Sequence, residues 1–322
     1  ELQLLATTSP PFAEFALTAL TLRTPFEARA IPRASEGDWT GVFLGADQTF
    51  RGYLLDYLPS FNAVFGASFD SNRNELADRR NLYWETLQGR VDAPTDAFML
   101  TRYRTSGGRF GQAQDATIVV RGTTSLRFDG CDHAELIDDT GGTQPSVQIR
   151  HLRRAGPRAQ SCVLDDGRTL PADIDAAPRG GFDPRQSGAW TSTSVPNEGV
   201  MLGIQPPGAT TVGTFFAAWF THWPVSEPAD MPIGDHWFTL QGAIPVDTQG
   251  RVDLTIYLSI TGSSGGVRPD NARRVGIASW TLAACDRARF EYAFDTADAL
   301  GSFSGLRGGL EFSRPGACNG GP

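Results

Sequence analysis

The 322-residue sequence has no lysine. All 28 of its basic residues are arginine, and no Walker-type phosphate loop can be written in it. Positive charge is also in the minority: 36 acidic residues leave a formal charge of -8, which argues against nucleic acid or an anionic membrane as partner. No apolar run approaches the roughly 20 residues that a membrane-spanning helix needs, so no transmembrane helix is expected. Stretches with a 3.6-residue hydrophobic period are missing too, and a hydrolase of the α/β kind would lack its helices. Histidine is scarce. His133, His151, His222 and His236 form no His-Glu-x-x-His pair and no spaced ligand set, so each is expected to be structural or on the surface.

What is abundant points to β-structure. Aromatic residues supply material for a packed interior, and 36 Gly with 21 Pro supply the turns that many short strands require. The chain is also internally repeated. Leu82-Tyr83-Trp84-Glu85-Thr86-Leu87-Gln88-Gly89 recurs as Asp235-His236-Trp237-Phe238-Thr239-Leu240-Gln241-Gly242, sharing Trp-x-Thr-Leu-Gln-Gly. Around it, Gly37-Asp38-Trp39-Thr40 aligns with Gly188-Ala189-Trp190-Thr191. Arg51 to Leu55 aligns with Glu198 to Leu202, and Val64 to Phe69 with Phe215 to Phe220. In the second copy Val252, Leu254, Ile256 and Leu258 alternate with Asp253, Thr255, Tyr257 and Ser259, the period-two pattern of a sheet with one dry face.

The expected fold is all-β. Two tandem antiparallel meanders are predicted, each a small up-and-down barrel or sandwich of about seven or eight strands, with closure into a barrel preferred because it removes exposed edges. The predicted division is an N-terminal extended segment over 1–35, a first β domain over 36–168, a Pro- and Gly-rich linker over 169–186 and a second β domain over 187–322. Within the first segment, Phe15 to Arg23 reads as a strand that packs in cis or is given to a neighbouring molecule.

Cys131 and Cys285 stand at matching places, each followed by Asp, and Cys162 and Cys318 end the two repeats. Pairing Cys131 with Cys162 and Cys285 with Cys318 makes each domain self-contained, with loops of about 30 residues worth ~3–4 kcal/mol each. Disulfides imply an oxidising compartment, hence an extracellular, periplasmic or cell-surface location. The chain starts at Glu1 without a basic start or an apolar core of its own, and a signal segment is taken to have been removed.

Candidate sites are few, and no catalytic residues are assigned. Glu85 and Glu198 are the carboxylates to inspect in a barrel mouth, although their repeat equivalents are Phe238 and Arg51. Asp70, Asn72, Asn74 and Asp78 have the alternating oxygen donors of a calcium loop, but Glu75 stands where such a loop needs glycine, and an expanded hairpin loop is the simpler reading. No other cofactor is implied. Trp223, beside Pro224 and without a counterpart in the first copy, is the tryptophan expected to be exposed and able to stack on a glycan.

Gly188-Ala189-Trp190, Glu198-Gly199-Val200-Met201-Leu202, Ala218-Trp219-Phe220-Thr221, the Trp237 motif and Gly265-Gly266 together resemble a repeated domain of uncharacterised exported proteobacterial proteins. The resemblance is strongest over 188–318 and looser over 37–162. It implies secretion and duplication and brings no catalytic residues with it. The leading expectation is a non-enzymatic secreted or cell-envelope protein that mediates assembly or attachment to a protein partner, or self-association, through its N-terminal segment. An extracellular ligand- or glycan-binding protein is the alternative, and an exported hydrolase comes third.

Overall fold

The computed structural model describes residues 3–9, 12–19, 40–45, 52–58, 61–71, 82–91, 97–106, 108–112, 116–128, 130–139, 147–155, 158, 161–164, 166–172, 181–205, 207, 212–224, 235–259, 272–296 and 298–315. Two closed eight-stranded barrels account for most of them. The first is built from β3 (Gly41–Gly45), β4 (Gly52–Leu58), β5 (Ala63–Ser71), β6 (Leu82–Arg90), β7 (Phe98–Ser106), β8 (Thr117–Phe128), β9 (His133–Asp139) and β10 (Val147–Arg154), following β1 (Gln3–Ser9) and β2 (Phe12–Ala19). After two short strands, β11 (Cys162–Val163) and β12 (Thr169–Leu170), the second barrel follows. It comprises β13 (Gly188–Ser192), β14 (Gly199–Gln205), β15 (Gly213–His222), β16 (Asp235–Ile244), β17 (Arg251–Ser259), β18 (Ala272–Ala284), β19 (Arg287–Phe294) and β20 (Arg307–Ser313).

Each barrel is a pure antiparallel meander whose last strand pairs with its first, Arg154 opposite Phe43 in one copy and Thr191 opposite Ser313 in the other. Closure leaves no free sheet edge, so the preference for a barrel over a sandwich holds. The alternation read in β17 is realised: Val252, Leu254, Ile256 and Leu258 are buried and Asp253 is exposed. Both barrels also carry a register shift at the same place, between Arg102 and Tyr103 and between Ile256 and Tyr257.

Strand pairing corrects the alignment at the start of the repeat. Phe43 pairs with Tyr53 as Trp190 pairs with Val200, and both aromatics are fully buried. Phe43, not Trp39, is therefore the equivalent of Trp190; Trp39 itself lies outside the described residues. The motif glycines lie inside strands. Gly89 and Gly242 sit within β6 and β16, where a Cβ would strike the Met99 or Asp253 carbonyl of the next strand, a close approach at a barrel corner.

Cys131, between β8 and β9, is bonded to Cys162. Cys285 is also disulfide-bonded, and its expected partner Cys318 lies outside the described residues. Of the strand expected over Phe15 to Arg23, residues 15–19 lie in β2, residues 20–23 lie outside the described residues, and β2 pairs with β1 in a hairpin that pairs with no barrel strand among the described residues.

The two barrels share one hydrophobic cluster. Trp84 and Trp237 point outward, away from their own lumens, and meet the opposite barrel: Trp84 lies 4.9 Å from Phe220, and Phe69 lies 5.4 Å from Trp237. Phe69 and Phe220 are themselves repeat equivalents, since each pairs with the matching glycine, Gly52 or Gly199. The same exchange recurs where Val42 abuts Gly203 and the Asp56 carboxylate accepts from the Ala189 N–H at 2.9 Å. The interface is thus the intramolecular counterpart of an isologous dimer contact, in which residue i meets j and j meets i.

Candidate functional site at the mouth of the second barrel

The interiors of the two barrels differ chemically at one matched level. In the first barrel, Tyr53 pairs with Ser68, Ser68 with Glu85 and Thr124 with Asp138, and Arg102 and Arg150, paired with Leu87 and Leu136, join this level through their side chains. Arg102 binds Glu85 at 2.5 Å and lies 3.7 Å from Asp138. Arg150 binds Asp138 at 3.0 Å and donates to the Tyr53 hydroxyl at 2.7 Å. Burial would lower the Arg102 pKa, but the Glu85 and Asp138 carboxylates outweigh it and hold the guanidinium above its ordinary value. Two acids and two bases close on one another, so Glu85 is an ion-pair partner within a charge-neutral layer.

The same layer in the second barrel is Val200, Trp219, Phe238, Ile256, Ala278, Tyr292 and Leu310. Trp219 stacks on Phe294 and meets Phe238 and Phe290. Trp190, Trp280, Phe215 and Phe312 fill the level beneath. Above this layer sits Glu198, 2% exposed, in the turn between β13 and β14. Burial pushes its carboxyl up to about 7, against the opposing pull of the Gly111 N–H, which donates to Oε1 at 3.0 Å, and of Thr221 and Trp219 nearby. The Thr221 hydroxyl and the Trp219 indole N–H face the carboxyl without reaching good hydrogen-bond geometry. Glu198 Oε2, Thr221 Oγ1, Trp219 Nε1 and both His236 ring nitrogens are therefore buried without a hydrogen-bond partner among the described residues.

The neighbouring ionisable groups are held neutral. Burial lowers His222 to about 4 and His236 to about 3, and burial with the Glu198 charge raises Tyr292 to about 12. The site is closed from above by the first barrel. Phe110, in the loop after β7, lies within 5.2–6.2 Å of the ring centroids of Phe303, Trp219, Tyr292 and Phe294, and its N–H donates to the Trp223 carbonyl at 3.2 Å.

The residues singled out in the sequence are dispersed. Glu85 and Glu198 belong to different barrels and have different partners, so no carboxylate pair is formed. Trp223 is 6% exposed, which corrects its expected exposure: its ring is covered by His236 and Phe303 and offers no flat face to a sugar. Asp70 is the penultimate residue of β5 with its side chain outside the described set, and Asn72, Asn74 and Asp78 lie wholly outside it. Among the described residues, no cluster of His, Cys, Asp or Glu is arranged to hold a metal ion. Sequence reasoning missed Phe110 and Gly111. The available signal was Phe110, two residues after Gly107-Gly108, which has no aromatic match two residues after Gly265-Gly266, where Arg268 stands. No family model, no curated protein and no solved structure matches this chain.

Proposed function

We propose that the protein is a non-enzymatic structural or assembly protein of the cell exterior or envelope, a scaffold of two barrels that attaches to a partner or to further copies through its N-terminal hairpin. The observation that carries this reading is that both barrel interiors are filled by side chains of this same chain, with Phe110 of the first barrel completing the mouth of the second. Fully buried Trp190, Trp219 and Trp280 occupy the second, and apolar residues from Phe43 to Leu152 with the Glu85–Arg102–Asp138–Arg150 layer occupy the first. Such interiors favour rigidity over carriage of a ligand. The β1–β2 hairpin stands outside both closed sheets and brings strand edges of the kind that pair with another chain. The Cys131–Cys162 bond supports an oxidising location.

The test is the solution mass of the full chain against a chain lacking residues 1–25, with circular dichroism as a check on folding. The expected result is an assembly that collapses to folded monomers on deletion. Equal masses for the two chains would defeat the proposal.

A further inference from the structure

We propose that the mouth of the second barrel is a peptide-binding site for a phenylalanine followed by a backbone N–H donor, and that Phe110-Gly111 of the first barrel occupies it as an intramolecular ligand. The occupied segment is held as a bound peptide would be held. Its aromatic ring enters a cage of Trp219, Tyr292, Phe294 and Phe303, with three of the four contacts edge to face and the fourth, on Trp219, tilted. Two successive backbone N–H groups are read: that of Phe110 by the Trp223 carbonyl and that of Gly111 by the Glu198 carboxylate. The approach requires glycine beside it, because a Cβ at Gly108 would overlap the His222 imidazole.

A second observation points beyond packing between the barrels. The loop satisfies only one oxygen of Glu198. The other oxygen, the Thr221 hydroxyl and both His236 nitrogens stay buried and unpartnered among the described residues. Native interiors leave few polar groups in this state, and here they gather around one mouth. The intramolecular segment therefore uses the cage fully and the polar rim incompletely, and a peptide with a further donor after the phenylalanine would use both. The matched mouth of the first barrel has Ser68, Glu85 and Asp138 in place of Trp219, Phe238 and Tyr292, so it has no such cage.

The probe is N-acetyl-phenylalanyl-glycinamide, whose terminal amide supplies the second donor. It is titrated into the full chain by calorimetry and by tryptophan fluorescence, which reports on Trp219. Phe110→Ala empties the cage, and Gly108→Ala displaces the loop against His222 while leaving every cage residue in place. Both variants are expected to bind the probe saturably and at least tenfold more tightly than the unmodified protein. The ester analogue lacking the glycine N–H is expected to bind them about tenfold more weakly than the amide. Folded variants that do not bind, equal binding by the unmodified chain, or indifference to the N–H would each overturn the assignment. So would failure of both variants to fold, since an exchangeable ligand is dispensable for folding.

Discussion

Arg102→Ile is expected to destabilise the protein by about 3–5 kcal/mol, measured by urea unfolding. The guanidinium sits between Glu85 and Asp138, both buried, and its loss leaves two carboxylates with less positive charge than they need. The second barrel shows what restores balance, because Ile256 already occupies the matched position within an apolar layer. Transplanting that layer, with Glu85→Phe, Asp138→Tyr and Arg150→Leu added to Arg102→Ile, is expected to recover part of the loss. Removing a whole buried ion network is commonly far less harmful than removing one member. A quadruple variant less stable than the single one would show that the two interiors are not interchangeable at this level.

Glu198→Gln carries the second large effect, and its sign depends on pH. The Glu198 carboxyl is held at about 7 in the folded chain against 4.5 for the free group, so its contribution is fully present below 4.5 and is lost as pH rises through about 7. At pH 8 the variant is expected to be more stable than the parent by about 3 kcal/mol, at 1.36 kcal/mol per unit of displacement, and near pH 4 by nothing. His222 and His236 act in the opposite direction. Depressed to about 4 and about 3, they contribute stability that is present above 6.5 and lost as pH falls through those values. Between pH 4.5 and 6.5 the carboxyl offsets only one of the two histidines, so the parent gains stability with rising pH about half as steeply as Glu198→Gln, which exposes the histidine trend alone. Urea midpoints at pH 4, 6 and 8 for both chains separate the two. A parent-minus-variant difference independent of pH would mean that Glu198 is not held protonated by burial.

The architecture was legible because its signals are local. The alternation from Val252 to Leu258 gave a strand with one dry face, and the Trp-x-Thr-Leu-Gln-Gly repeat gave two copies of one sheet. Period two says which residues share a face, however, and not what that face meets. Trp84 and Trp237 hold matched places in the repeat, and in the structure they point outward and bury themselves against the opposite barrel. The first strand was misregistered because Gly37-Asp38-Trp39-Thr40 matches Gly188-Ala189-Trp190-Thr191 as a string, whereas the pairing of Phe43 with Tyr53 decides the matter in space.

The candidate site was less legible. Glu198 drew notice as a carboxylate, but its significance comes from Gly111, a residue far away in sequence and on the other barrel. Trp223 seemed exposed because Pro224 beside it suggested a turn, while its cover comes from His236 and Phe303 on two other segments. Contacts that link loops across a duplicated chain leave no periodic trace in either copy.

That the two copies form one body through a pseudo-twofold interface is the claim on which the rest depends. Differential scanning calorimetry of the disulfide-intact chain, beside Trp84→Ala, tests it most directly. Trp84 packs on Phe220 and donates its indole N–H to the Thr221 carbonyl at 3.2 Å, so its removal weakens the joint without touching either lumen. The account predicts one cooperative transition for the parent, with calorimetric and van't Hoff enthalpies equal, and a transition in Trp84→Ala that falls in temperature or divides in two. Two independent transitions in the parent, one of them unmoved by Trp84→Ala, would contradict it.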